Sequence, residues 1–465
     1  MLFALPLFAG IENLPLSEAL EMLKKDNLEL KVSRFEAQMK EHEAKATEGH
    51  HYGKLDVTVT AMRSDDPGNV FGFKLQSREA TFGDFGFDQF LGGIGSVMQA
   101  SGGDFGVFSA MMSNPTLQSQ MLSTAPDNLN YPDARNHYQT KISYMLPIYT
   151  GGKLTEYGRI TRAMHRMSLF DTEKLLNEKI FQTKKAYYDI SLVEKYISNL
   201  SRIIKNINRL EEIVNTMKNE GYAQNIDLLE VQARKAETYS MYNQAKLNKE
   251  LAYQFLSFLL NTEVSSIKKI NTLAAIPVVN QNELEANNID IQKAKLGEHI
   301  TGMAVAVEEA NFLPTVGAFA EYGSANDKFW DEFHEKDAYT VGVQMQWNIF
   351  SGGIDHANLE KAKVNRLKVQ SQLALAKSGI RLQAKKLETE VKSADADVKS
   401  YRTQLEFAKK VYENYQGRYE EGMVSISDVL MKQSKELEIL LKLLTAINQR
   451  NTKVFELNSL LNNRI

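Results

Sequence analysis

The 465-residue chain contains no cysteine, and this absence excludes several kinds of site. Without thiols there are no disulfides, no thiolate metal ligands and no cysteine nucleophile. Proline is also scarce, at nine residues, and none lies between Pro147 and Pro277. No stretch reaches the ~18 apolar residues that a membrane-spanning helix needs. Because the net charge is −3, nothing indicates a basic surface for nucleic acid.

The chain opens with an apolar stretch, MLFALPLFAG, that lacks the basic n-region of a secretory signal. We interpret residues 1–12 as a residual signal-like segment. A plain hydrophobic N-terminus is the alternative.

The most informative feature that is present is an internal two-fold repeat with an offset of 201 residues. Residues 146–152 read LPIYTGG, and residues 347–353 read WNIFSGG. Further pairs with the same offset are Gly221 and Gly422, Asp227 and Asp428, and Gln232 and Gln433. A register kept over about eighty residues indicates a duplicated structural unit.

Each half predicts the same order of elements: helix, strand, loop, strand, very long helix, turn and half-length helix. Alternating apolar and polar residues indicate the strands, and apolar residues stepping by four and three indicate long helices with a heptad seam. The first repeat is predicted at 14–261, with strands at about 52–62 and 138–148 and a long helix at about 152–219. The second is predicted at 285–465, with strands at about 314–322 and 338–349 and a long helix at about 353–420.

Two segments have neither period. Residues 262–284, which contain Pro277, are expected to connect the repeats. Residues 63–136 hold four of the nine prolines and are expected to form a long loop. Glycines at 92, 93 and 95 follow no strand, so a phosphate-binding loop is not favoured.

Four strands cannot close a barrel within one chain. On the strands alone, a soluble antiparallel sheet packed on one side is favoured over strands of an outer-membrane barrel. The helices reverse this preference, because a helix from Gly152 to Gly221 would be roughly 100 Å long. Burying the seams of such helices requires other copies of the chain. The strands of several copies could then also combine into a closed barrel.

These features together resemble the TolC-type outer-membrane efflux protein family. The motifs that carry the resemblance are DPGNVFGFKL at 66–75, PIYTGG, WNIFSGG, and the Gly-x5-Asp-x-Leu turns at Gly221 and Gly422. The resemblance implies a mainly α-helical chain with a membrane β-barrel. It implies four strands per chain in a trimeric twelve-stranded barrel, and long coiled-coil helices that form a periplasmic α-barrel, with 262–284 as an equatorial connector.

The resemblance also implies a function. The chain would be an outer-membrane exit duct of a tripartite efflux or type I secretion system in a Gram-negative bacterium, not an enzyme, and without a cofactor. Its partners would be two further copies, outer-membrane lipid, a periplasmic adaptor and an inner-membrane RND or ABC transporter. A soluble coiled-coil scaffold is the alternative, and the cargo stays open.

Individual sites follow from the family pattern Tyr-x2-Gly-x-Arg-x3-Asp-x2-Asp, which forms a periplasmic gate. Tyr419, Gly422 and Asp428 match it, whereas Val424 replaces the arginine and Met431 the second aspartate. A gate locked by an arginine ion pair is therefore in doubt, although three Asp428 side chains could form an acidic ring. The competing interpretation makes Asp428 a helix cap and Tyr419 a core residue.

Other expected sites are grouped by role. The adaptor-docking tips are Gly221, Tyr222, Gly422, Met423 and Val424. Asp227 and Glu230 hold the acidic positions of the first tip. The strand-to-helix glycine pairs are Gly151, Gly152, Gly352 and Gly353, and the aromatic belt is Tyr138, Tyr144, Tyr322, Tyr339 and Trp347. No metal site is expected: His50 and His51 lack a third ligand nearby, and the 17 methionines are scattered.

Overall fold

A computed structural model describes residues 10–462, so most of the signal-like segment lies outside the described residues. The strands are β1 (Lys54–Ser64), β2 (Arg135–Tyr149), β3 (Thr315–Asn326) and β4 (Asp337–Gln346). The helices are α1 (Leu16–Asp26), α2 (Leu28–Gly49), α3 (Pro67–Gln76), α4 (Phe87–Ala100), α5 (Phe105–Met112), α6 (Pro115–Leu122), α7 (Asp127–Asn130), α8 (Lys153–Asn219), α9 (Asn225–Leu260), α10 (Gln281–Asn287), α11 (Ile289–Glu309), α12 (Ile354–Glu420) and α13 (Ile426–Leu460). Among the described residues, no helix combines the length and apolarity needed to cross a membrane.

The chain divides into two compact units. Of the described residues, the helical unit contains those up to Ala44, Arg159–Val305 and those from Glu360 onward. The sheet unit contains Lys45–Gly158 and Ala306–Leu359, including all four strands.

The sheet is antiparallel throughout, in the order β1-β2-β3-β4. One row of paired residues across it is Leu55, Tyr144, Ala320 and Val341. The adjacent row is Asp56, Ser143, Glu321 and Thr340. Because side chains alternate between faces, the register places apolar rows on one face and polar rows on the other. The predicted division into an apolar and a polar face is confirmed.

The apolar face of the sheet is largely uncovered, although Phe329 and Phe333, between β3 and β4, contact Tyr138 and Tyr322 on it. Leu55 and Val341, at opposite edges of the same row, are each 66% exposed. β1 and β4 are edge strands, each with one partner strand within the described chain. The sheet of one copy therefore leaves both an apolar face and two open edges.

One strand prediction was too long. β4 ends at Gln346, whose partner Thr315 is the first residue of β3, so residues 347–349 have no strand opposite them within residues 10–462. Trp347 instead donates from its indole nitrogen to the carbonyl of Phe312 at 3.1 Å. It therefore lies just beyond the strand whose apolar face it was expected to share.

The two long helices, α8 and α12, have 67 residues each and bury the predicted heptad seam. Buried seam residues of α12 are Ile380, Ala384, Leu387, Val391, Val398, Leu405, Ala408, Tyr412 and Tyr419. They contribute to several apolar clusters, the largest of which also includes residues of α8, α9 and α13.

The two halves of the helical unit repeat the same side-chain contacts. Asn27 donates to the carbonyl of Leu259 at 2.8 Å, and Asn288 donates to the carbonyl of Leu460 at 2.9 Å. Each asparagine also accepts from a backbone N–H three residues ahead, at 2.9 and 3.1 Å. Each therefore caps one helix while fixing the end of another.

The segment between the repeats is tied to α13 by a buried arginine. Arg450 donates to the carbonyl of Ala274 and pairs with Asp395 at 3.0 Å. Asn451 accepts from the backbone of Ala274 at 3.1 Å. The irregular backbone near Pro277 is thus fixed by side chains rather than by regular structure.

The expectation that residues 63–136 form a loop was incomplete, because five short helices, α3 to α7, lie in this segment. Asp66, Asp104 and Asn114 each cap the helix that follows, and Pro67 and Pro115 occupy the first turn of theirs. Aspartate or asparagine followed by proline is a helix start signal. Helices of 4 to 14 residues are too short to show a clear apolar period.

The glycine pairs before α8 and α12 generate a stability prediction with an internal control. Gly151 and Gly352 have similar positive φ angles, 64° and 66°. A Cβ on Gly151 would lie 2.9 Å from the carbonyl oxygen of Ala310, whereas on Gly352 it would meet no described atom within 4 Å.

We expect Gly151→Ala to lower the thermal unfolding midpoint more than Gly352→Ala. Both variants carry the left-handed penalty of about 1–2 kcal/mol, but only the first also forces backbone to shift. Circular dichroism melts of the two variants measure the difference. Equal midpoints would show that the short distance from Gly151 to the carbonyl oxygen of Ala310 does not exclude a larger side chain at this position.

Candidate functional site at the helical tips

The turns after α8 and α12 have the same geometry. Gly221 and Gly422 adopt φ angles of 85° and 72°. The backbone N–H of Tyr222 donates to Met217 at 2.7 Å, and that of Met423 donates to Arg418 at 2.8 Å. Glycine adopts positive φ without steric cost, which explains why each long helix ends at this position. The two turns define the first and second tips.

An acidic side chain fixes the start of the helix after each tip. The backbone N–H of Gln224 donates to Asp227 at 2.7 Å, and that of Ser425 donates to Asp428 at 3.2 Å. Ser425 also donates its hydroxyl to Asp428 at 2.6 Å. These hydrogen bonds, then the charges of Lys432 and Arg418, lower the pKa of Asp428, which is therefore ionised at neutral pH. Asp428 thus forms a capping box.

The two tips contact each other within one chain. Ser427 donates to the carboxylate of Glu230 at 2.7 Å. Arg209 on α8 approaches Glu420 at the end of α12, with 3.8 Å between the charged atoms. Residues expected to matter at the first tip therefore touch the second.

Tyr419 is 7% exposed and belongs to the main apolar cluster with Ile426 and Val429. Burial raises the pKa of Tyr419, and the negative charge of Asp227 adds to this effect. Val424 packs partly against the same cluster, whereas Tyr222 and Met423 are exposed. Each turn thus exposes one large apolar side chain, Tyr222 in the first and Met423 in the second.

A buried polar cluster above the second tip was not found from the sequence. Glu436 on α13 is 4% exposed and pairs with Arg202 of α8 at 3.2 Å. Gln433, one turn earlier and fully buried, donates to the hydroxyl of Tyr412 at 3.4 Å, and its own carbonyl oxygen has no partner within the described chain. Burial raises the pKa of Glu436, opposed by the charges of Arg202 and Lys409.

The equivalent positions of the first half carry an ordinary ion pair. Lys235 contacts Glu211 at 2.7 Å, and Gln232 donates to the same carboxylate at 3.2 Å. With the offset of 201 residues, these three positions correspond to Glu436, Tyr412 and Gln433. The only signal in the sequence was the match between Gln232 and Gln433. The residues around them differ between the two halves, so the repeat could not predict the buried cluster.

The remaining predicted residues lie in the sheet unit. Tyr138, Tyr144, Tyr322 and Tyr339 all lie on the apolar face of the sheet. The four glycines of the strand-to-helix pairs all have positive φ. His50 and His51 lie in an exposed 3-10 turn, and no cluster of His, Asp and Glu among residues 10–462 is arranged to hold a metal.

The family model described as outer membrane efflux protein matches residues 281–463. The fold resembles the Campylobacter jejuni CmeC outer membrane channel, with a TM-score of 0.75 and 15% identity over 96% of this chain and 85% of that one. It also resembles the Vibrio cholerae outer membrane protein VceC, with a TM-score of 0.72 and 13% identity over 96% and 94% of the two chains.

The open Neisseria gonorrhoeae MtrE outer membrane channel matches similarly, with a TM-score of 0.73 and 13% identity over 96% and 88%. No curated protein sequence matches this chain. The family model and these structures agree with the resemblance to the TolC-type family inferred from the motifs, and the family's description names the outer membrane. The matched family is one of transport channels rather than of enzymes.

The buried cluster generates a pH-dependent prediction. A carboxyl whose pKa is raised by folding favours the protonated state, so the wild type gains stability as pH falls through that pKa. Glutamine imitates the protonated carboxyl. We therefore expect Glu436→Gln to raise the melting midpoint by a few degrees at neutral pH, with the advantage disappearing near pH ~4.

Glu438, two residues away and exposed, is the matched control. Hydrogen bonds from Lys435 and Lys442 lower the pKa of Glu438 to about 2, so Glu438→Gln should not stabilise at neutral pH. Melts across the pH range test both variants. A Glu436→Gln variant less stable than wild type at neutral pH would mean that Arg202 outweighs burial.

Proposed function

We propose that this chain, whose residues 281–463 match the outer membrane efflux protein family, is the passive exit duct of a tripartite efflux or type I secretion system. Three copies would close a twelve-stranded barrel in the outer membrane. Their long helices would line a tunnel in the periplasm. The observation that carries the proposal is the uncovered apolar face of the four-stranded sheet.

An exposed apolar sheet face with two open edges is unfavourable in water. In a bilayer the same face contacts hydrocarbon, but every edge must then find a partner, because no water satisfies the backbone. Closing the sheet with the strands of further copies meets both requirements.

The helical unit supports assembly independently. α2 leaves Leu28, Val32, Phe35 and Met39 exposed at steps of four, three and four residues. α9 exposes a second stripe made of Leu247, Leu251, Phe255 and Phe258. Stripes with this spacing are typical of helices that pack lengthwise against other helices, and other copies of the chain would cover them.

The tips would be the docking site for a periplasmic adaptor, because Tyr222 and Met423 present apolar side chains there. An inner-membrane RND or ABC transporter would supply the energy. Opening would be a shift between two packings of the coiled coils. It would have to break the contacts that join the tips within one chain, from Ser427 to Glu230 and from Arg209 to Glu420.

A soluble coiled-coil scaffold would share the exposed heptads. A scaffold gives no role to the apolar face of the sheet. It also predicts that the protein can be extracted from cells without detergent. Conductance in planar bilayers separates the two functions: the duct forms pores from purified trimers, and purified protein without pore activity would count strongly against it.

Adjacent residues on β4 test which face meets lipid. Val343 and Gln344 are both exposed but lie on opposite faces. We expect Val343→Arg to reduce the amount of trimer in the outer membrane, because arginine on a lipid-facing position costs about 2–4 kcal/mol. Gln344→Arg should leave it unchanged. Equal tolerance in membrane fractions would contradict the assignment of the apolar face to lipid.

Asp428 tests the acidic ring. Replacing it with asparagine removes one negative charge per chain while keeping an oxygen acceptor for the cap. If three such residues surround the narrow end of the tunnel, the variant should show a weaker preference for cations in reversal-potential measurements. Asp227→Asn is the control in the first tip. Unchanged selectivity in the Asp428 variant would restrict that residue to capping.

A further inference from the structure

The helical insertion between β1 and β2 packs on the polar face of the sheet. In α3, the Phe73 ring stacks on the His137 imidazole with 4.1 Å between ring centroids, and His137 is only 1% exposed. His137 lies near the start of β2 and shares its face with Gln139 and Ser143, because side chains alternate along a strand. This is the face of the polar rows.

The neighbouring strand gives the same result. Ala325 is the partner of Gln139 and therefore lies on the polar face as well. It is buried, and α3 contacts β3. The insertion thus packs on the polar face at one end of the sheet, and the chain leaves β2 and β4 toward the long helices from the other end.

An ion cluster fixes the end of α3 in this position. Glu79, three residues beyond the helix, pairs with both Arg135 of β2 and Lys336 of the β3–β4 loop. Arg135 also donates to Ser77 at 3.0 Å, and Lys336 donates to Asn326 at 3.0 Å. Burial raises the pKa of Glu79, but Lys336 and Arg135 outweigh it and lower the value to about 2. Glu79 is therefore ionised at neutral pH.

We propose that α3 forms a second constriction, at the outward mouth of the pore, and that Glu79 pins it there by joining β2 to the β3–β4 loop. The proposal rests on the proposed function, in which the polar face lines the pore. An α-helix is ~10 Å across with its side chains, so three copies of α3 inside a twelve-stranded barrel leave a narrow passage. The constriction limits which solutes enter from outside, independently of the periplasmic tips.

The absence of cysteine provides a direct test, because one introduced thiol is the only one in the chain. Ser143 lies on the polar face, eight positions along β2 from Arg135, which is roughly 26 Å deeper in a strand. Ser109 lies exposed in α5 of the insertion. Whole cells carrying Ser143→Cys or Ser109→Cys are treated from outside with a membrane-impermeant maleimide attached to polyethylene glycol.

We expect rapid labelling at position 109 and slow labelling at position 143. Adding Glu79→Gln should speed labelling at position 143 by about tenfold, since losing hydrogen bonds to a charged group shifts a local opening equilibrium by that order. Asp88→Asn is the matched control: it makes the same charge change in the same segment, and Asp88 forms no ion pair within the described chain. It should leave position 143 slow.

Each outcome decides between parts of the account. Rapid labelling at position 143 without Glu79→Gln overturns the constriction, and unchanged slow labelling with it overturns the role of Glu79. No labelling at position 109 contradicts the proposed membrane topology itself. If Glu79→Gln fails to assemble, Lys336→Gln is the second variant, because it leaves Glu79 paired with Arg135. It should raise the labelling rate at position 143 by a smaller factor. No increase would again contradict the role of Glu79.

Discussion

A single copy of this chain leaves long apolar surfaces in contact with solvent, and this unburied surface constrains everything else. In the sheet unit it is most of one face of four strands, with two open edges. In the helical unit it is the heptad stripes that remain on α2 and α9. The insertion after β1 packs on the opposite face of the sheet and does not cover the apolar one. The proposed assembly with further copies would bury these surfaces, and the proposed barrel and tunnel depend on it.

Much of this fold could be predicted because its signals are periodic and occur twice. The alternation of apolar and polar residues along β2 and β3 predicted the two faces of the sheet, and the strand register confirmed them. The heptad seam of α12 is buried as expected. The predictions that were wrong or incomplete concern aperiodic features. The helices of the insertion are too short to show a period and had to be recognised by caps such as Asp66. β4 ended early at Gln346 because its partner strand begins opposite that residue, which a single strand cannot reveal.

The two repeats share a backbone plan but differ in polar content, and the differences lie where the function is proposed. Around the first tip, Lys235 and Glu211 form an ion pair that water can reach. At the equivalent place beside the second tip, Glu436 is buried with one partner and a neighbouring amide oxygen is unsatisfied. Buried polar groups that are only partly satisfied are costly in the low-dielectric interior of a protein. The insertion is the second asymmetry, since it adds a helix to the polar face near β2 that the shorter β3–β4 loop does not add.

The requirement for further copies is tested most directly by the mass of the native particle. Protein extracted from membranes in mild detergent can be measured by size-exclusion chromatography with multi-angle light scattering, against a chain mass of 52.6 kDa. The account predicts a detergent-dependent particle containing three chains. A stable monomer that stays soluble without detergent would show that one chain can cover its own apolar surfaces, and it would contradict the barrel, the tunnel and the constriction together.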